Sequence, residues 1–142
     1  MIAELVQRVL DLTRTWPAWD GSPCQVDDRI YTPHKAVRRV ADHMLDHLAE
    51  LEARVAGAVA IPDTWHGSSV TTAADVAPFE PVDVTEAENR LIRLRELWRH
   101  ALDAVPPDEL DRSSGDPLTP RELAFHTAES IYYAEAVGAW PR

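Results

Sequence analysis

Apolar residues return at helical spacing in four stretches of this chain. The first runs from about Ile2 to Thr15, where Ile2, Leu5, Val6, Val9 and Leu12 recur at three- and four-residue steps and line one face. Trp16-Pro17 ends it, because a proline ring disfavours helical geometry at the residue before it. A polar loop with Asp20-Gly21, Ser22-Pro23 and Asp27-Asp28 follows.

The second helix has the clearest pattern. Thr32 can cap it and Pro33 suits the first helical position. Its stripe is Val37, Val40, Ala41, Met44, Leu45, Leu48, Leu51 and Val55, with Gly57 as the stop. That is about 24 residues, or about 36 Å of helix.

Periodicity then fails over 58–83, a stretch broken by Pro62, Gly67, Pro78 and Pro81. Such a long connection is uncommon in a compact domain. Within it, Trp65-His66-Gly67 reads either as an anchor pinning the loop or as part of a flap over a pocket. The third helix is expected from the capping box Thr85-Glu86-Ala87-Glu88, with the stripe Ala87, Leu91, Leu94, Trp98, Ala101, Leu102 and Val105. Pro106-Pro107 closes it, and a second box, Thr119-Pro120-Arg121-Glu122, opens a fourth helix from about Pro120 to Val137.

Four amphipathic helices without strands read as an all-α fold, a four-helix bundle forming a single domain over residues 1–142. The long connection between helices two and three can span the bundle, since extended chain covers about 3.3 Å per residue. The expected order is therefore up-down-down-up with a crossover. An up-and-down bundle with a decorated loop is the alternative.

Composition narrows the function. The chain has 142 residues, 45% of them hydrophobic, enough for one packed core. Its 24 acids against 14 bases leave a formal charge of −10, which argues against nucleic acid or an anionic membrane as partner. Cys24 is the single cysteine, so neither an internal disulfide nor a Cys-rich metal site is expected. No stretch matches a signal peptide or a membrane span, and a cytoplasmic location is expected. Isolated glycines exclude a phosphate loop, and no serine lies in a nucleophile elbow. Arg38-Arg39 reads as a solvated face.

The chemistry points to the six histidines. On the second helix, His47 falls about 80° from Val37, with His43 at about 120° and Glu50 at about 140° on the same flank. A His-x3-His pair can place two imidazoles on one metal, with a carboxylate to complete the set. The plainer reading is a solvated edge with one half-buried histidine. On the fourth helix, His126 lies about 60° from Leu123, inside the apolar face. It needs a partner there, such as Tyr133, Ser130, water or a metal. His34 and His66 stand in or beside loops, and His100 faces away from its stripe.

With the helices placed, the sequence resembles the DinB/YfiT-like superfamily of bacterial four-helix bundles. The likeness is carried by Ala36-Val37-Arg38-Arg39-Val40-Ala41-Asp42-His43-Met44-Leu45-Asp46-His47-Leu48-Ala49-Glu50-Leu51-Glu52 and by Leu118-Thr119-Pro120-Arg121-Glu122-Leu123-Ala124-Phe125-His126-Thr127-Ala128-Glu129-Ser130-Ile131-Tyr132-Tyr133. The resemblance implies the crossover bundle. It also implies a divalent metal site, Zn or Ni, built from one histidine of the second helix and a His-x3-His pair on the fourth. His47 matches the first position, His43 less well, and His126 matches the second. Ser130 stands where the last ligand is expected, so a substitute is needed from Glu129, His43 or His66.

The family includes transferases and isomerases that use low-molecular-weight thiols. A composition of 13 arginines against the single Lys35 fits a high-GC, actinobacterial source, for which that thiol is mycothiol. The reading this implies is a metal-dependent transferase, isomerase or hydrolase on a small, thiol-linked molecule. The alternative is a metal-free small-molecule-binding bundle, or an interaction module such as a homodimer, without catalysis.

Overall fold

A computed structural model describes residues 1–62, 67–113 and 115–141. The helices are α1 (Ile2–Thr13), α2 (Pro33–Val55), α3 (Pro81–Ala104), α4 (Pro120–Ala128) and α5 (Ile131–Val137). A small hairpin joins β1 (Cys24–Val26) to β2 (Arg29–Tyr31). The chain is mostly helical, and no helix among the described residues is long and apolar enough to cross a membrane.

Three expectations need correction. The loop before α2 contains two antiparallel strands, pairing Cys24 with Tyr31 and Val26 with Arg29 across an Asp27-Asp28 turn. Asp27 takes φ 54°, a conformation that Asp tolerates because its short side chain can bond locally. Strands of three residues are too short to display an alternation. Second, α3 begins at Pro81 instead of Thr85, because Glu80 and Asp83 form a capping box one turn earlier. Third, the last helix is two helices. At Glu129 and Ser130 the bonds tighten to i→i+3, with Ser130 N–H donating to Thr127 and Tyr133 N–H to Ser130. Such a turn advances about 120° per residue and so re-phases α5 against α4.

The core is the union of the apolar stripes. Val6, Val9, Val40, Met44, Leu51, Leu91, Trp98, Leu123 and Val137 are all fully buried. Trp98 Nε1 donates to the Met44 carbonyl at 2.9 Å and fastens α3 to the middle of α2. Two stripe residues of α2, Leu45 at 54% and Val55 at 52% exposure, face outward instead. Leu45 lies about 80° from Val37 on the side opposite His47. The covered sector of α2 is therefore turned towards its histidine flank.

The connection after α2 is tied down by charge. Arg38 reaches both oxygens of Asp75, at 3.1 Å from Nε and 2.8 Å from Nη2. Asp75 also accepts from the Thr72 backbone at 2.8 Å, inside a capping box of a short 3₁₀ turn. Thr32 caps α2 and donates to the Asp75 carbonyl, joining loop and helix again. Burial alone would raise the Asp75 carboxyl, but the bonds from Arg38 and Thr72 outweigh it and hold it below its ordinary 3.8.

A group depressed on folding contributes stability above its unfolded pKa and loses it as pH falls through the folded one. Wild type should therefore be more stable than Asp75→Asn at neutral pH. The gap should close as pH drops below the ordinary carboxylate range. Urea titrations of both proteins across that range measure it, and a gap independent of pH would refute the role given to the ion pair.

Candidate metal centre

α2 runs unbroken from its Thr32 cap to Val55, so residues four apart on it stack along one side. Arg39, His43 and His47 form such a row. Opposite them lie α4 and α5, which supply His126 and Tyr133. The end of α2 is fixed to the start of α4 by Arg54, whose Nη1 donates to the Leu118 carbonyl at 2.6 Å.

His43, His47 and His126 converge. One ring nitrogen from each lies within 4.8 Å of the others. The ring centroids are 4.6 Å apart for His43 and His47, 5.0 Å for His43 and His126, and 4.9 Å for His47 and His126. Zn–N bonds of about 2.0–2.1 Å put nitrogens about 3.3 Å apart in a tetrahedral site. Small side-chain movements would close that difference.

Each of two histidines is oriented by a carboxylate three residues on. His47 Nδ1 lies 2.8 Å from Glu50 Oε2, and His126 Nδ1 lies 3.1 Å from Glu129 Oε2. A carboxylate only accepts, so Nδ1–H is the donor, and in the neutral ring with that tautomer Nε2 carries the lone pair. Carboxylates behind histidine ligands fix the tautomer in this way. Glu50 is itself held by Arg54 Nη2.

His47 Nε2 is buried and has no hydrogen-bond partner among the described residues. Leaving such an atom unsatisfied costs about 1–3 kcal/mol, so its position calls for an acceptor of its lone pair. Burial, reinforced by the facing His47, His126 and Arg39, pushes His43 down to about 4, outweighing a hydrogen bond to the His126 backbone. At neutral pH His43 is therefore an uncharged imidazole, the form that ligates. His126 remains 43% exposed at its side chain and forms the side of the centre nearest solvent.

The other histidines are elsewhere. His34 Nε2 meets the Pro78 carbonyl at 3.0 Å on the first turn of α2, and His100 is exposed on α3 beside Arg99. His66, offered as a substitute ligand, lies outside the described residues, as does Trp65. Glu129 is exposed and engaged as the hydrogen-bond partner of His126. Ser130 is buried at 4% exposure, with its Oγ unpartnered among the described residues. The Tyr133 ring stands 6.4 Å from that of His43. Cys24 is buried, its Sγ 3.7 Å from the Val137 carbonyl.

Sequence reasoning passed over two parts of this arrangement. The spacing His-x2-Glu occurs on both helices, at His47–Glu50 and His126–Glu129, and that repetition was the available signal. The reading of Arg38-Arg39 as a solvated face was mistaken. Arg39 is 4% exposed, and Arg38 is spent on Asp75.

No family model, curated protein or solved structure matches the chain.

Proposed function

We propose that this chain is a metal-binding helical bundle of the DinB/YfiT-like kind, holding Zn²⁺ or Ni²⁺ through His43, His47 and His126 and acting on a small, thiol-linked molecule. The observation that carries the reading is the buried, unpartnered Nε2 of His47 among three converging imidazoles. In this reading His43 takes the place that Ser130 leaves vacant. The ligands then divide as a pair on α2 and one on α4.

The crossover order belongs to the same proposal. His34 at the start of α2 reaches Asp83 at the start of α3, at 3.8 Å. Leu51 and Val55 at the end of α2 line one cavity with Val105 and Pro106 at the end of α3. Arg14 at the end of α1 pairs with Glu88 at the start of α3 at 2.8 Å. These contacts support α2 and α3 running together, with α1 opposed, in an up-down-down-up arrangement.

A divalent ion with three histidine ligands keeps a position for substrate and acts as a Lewis acid that lowers the pKa of a bound thiol or water. The protein's share is positional. Glu50 and Glu129 hold two imidazoles in the ligating tautomer, Arg54 braces Glu50, and the buried side of His47 excludes water. The exposed edge of His126 gives a small molecule its approach.

The test is elemental analysis of untagged protein after incubation with Zn²⁺ or Ni²⁺ and dialysis. About one equivalent is expected for wild type, and well under a tenth for His47→Ala and His126→Ala. No retained metal in wild type would reject the reading and favour a metal-free small-molecule-binding bundle.

A further inference from the structure

Arg39 is the group that the metal reading leaves unused. It stands one turn before His43 on α2, with 4% of its surface exposed. Its Nε and Nη1 are buried without a hydrogen-bond partner among the described residues. Its ion-pair neighbour, Asp42 Oδ2, is 3.9 Å from Nη1, beyond hydrogen-bond range. Its Cζ sits over the Tyr133 ring, 5.3 Å from the centroid.

A guanidinium cannot shed its proton in a protein, and a buried charge without a partner is costly. The other covered cations of α2 are all engaged. Lys35 Nζ donates to the Ile30 carbonyl at 2.8 Å and to Thr71 Oγ1 at 3.0 Å. Arg38 holds Asp75, and Arg54 holds the Leu118 carbonyl and Glu50. Arg54 Nε also lacks a hydrogen bond but faces Asp116 Oδ2 at 3.3 Å. Among the described residues Arg39 is the one of these cations whose head group makes no hydrogen bond, in a chain whose net charge is −10.

We propose that Arg39 anchors the carboxylate of the small-molecule substrate beside the three-histidine centre. The Nε–Nη2 edge of the guanidinium matches the two oxygens of a carboxylate, and the Tyr133 ring backs the guanidinium from one face. One turn of α2, about 6 Å, separates Arg39 from His43 along the helix axis. A molecule spanning that distance carries its thiol or hydroxyl two or three carbons from the carboxylate. The second half of this assignment rests on the metal reading. The first does not.

The experiment follows the Arg39 Nε–H signal by ¹⁵N NMR, identified by its loss in Arg39→Lys. Metal-free protein is titrated with propionate, 1-propanol and inorganic phosphate. Propionate should shift the signal saturably, at concentrations at least tenfold lower than phosphate, and propanol should leave it unmoved. This arm stands whether or not metal binds. A signal indifferent to propionate, or one that answers phosphate more tightly, overturns the carboxylate site. In zinc-loaded protein, 3-mercaptopropionate should bind at least tenfold more tightly than propionate. Equal binding there overturns the shared site. Arg39→Met should abolish the propionate binding that calorimetric titration detects in wild type, without lowering the melting temperature, because it removes an unpaired charge. A lower melting temperature with no propionate effect in wild type would assign Arg39 to packing on Tyr133 and reject the proposal.

Discussion

Zinc at a hundred to a thousand times its dissociation constant should raise the unfolding free energy of the wild-type chain by about 3–4 kcal/mol, following RT ln(1 + [L]/Kd). For a domain of this size that is a rise of about 8–15 °C in melting temperature. In His47→Ala the increment should fall below about 1 kcal/mol, since two remaining imidazoles no longer enclose the ion. The quantity compared is the zinc-dependent increment, not the melting temperature itself. That choice matters because removing His47 also removes its orphaned Nε2 and frees Glu50 for Arg54 alone. Glu50→Gln should keep all three ligands and weaken affinity by about 10–100-fold, the usual cost of losing the carboxylate behind a histidine ligand. His100→Ala, altered on the exposed face of α3, should change nothing. With 24 acidic residues, the chain offers zinc many weak surface positions. An increment of equal size in wild type and His47→Ala would mean that those, and not the histidine centre, hold the metal. Differential scanning fluorimetry with and without zinc measures both.

Trp98→Ala should destabilise the metal-free protein by about 3–5 kcal/mol, the range for truncating a fully buried aromatic residue. Trp98 has no exposed surface, and its Nε1–H goes to the Met44 carbonyl in the middle of α2. Truncation opens a cavity between α2 and α3 and lets α2 shift where it carries His43 and His47. Loss of stability should therefore come with weaker zinc binding, although among the described residues no hydrogen bond joins Trp98 to a ligand. Trp98→Phe keeps most of the volume and removes the donor together with its need for a partner. It should cost about 1–2 kcal/mol and leave zinc affinity within about threefold. Urea denaturation gives the stabilities. A Trp98→Ala protein as stable as wild type would place the packing of the bundle elsewhere.

How far the chain could be read in advance differs between its parts. The helices were legible where a long apolar stripe met a chemical boundary. Ile2 to Leu12 and Leu91 to Trp98 bury as their spacing requires, as does the Val37 to Leu51 stripe apart from Leu45, and Thr32 and Thr119 cap as their types allow. The hairpin Cys24–Tyr31 was not legible, because three-residue strands show no period and gain their pairing from the packing of β1 and Tyr31 against α5. The start of α3 was misplaced by one turn, since Thr85 and Glu80 both open boxes and only the packed loop selects Glu80.

The candidate site divides in the same way. His47 points inward as its helical phase requires, whereas His126, which phase places inside the apolar face, keeps 43% of its side chain exposed. His43 was read on a solvated edge because phase was measured from the centre of the apolar stripe. That assumption fails for α2, whose Leu45 flank is open and whose histidine flank is covered. The burial of Arg39 has the same origin.

The sequence by itself determined where the helical stretches lie, the caps at Thr32 and Thr119, and which histidines lie on which faces, because these follow from local spacing and from backbone donors that each residue type can satisfy. Which flank of α2 is covered was decided only by the tertiary structure. So were the meeting of His43 with His47 and His126, and the isolation of Arg39 among polar groups already spoken for. Those features depend on where α4 and α5 come to rest against α2, and that is set by the whole core closing at once.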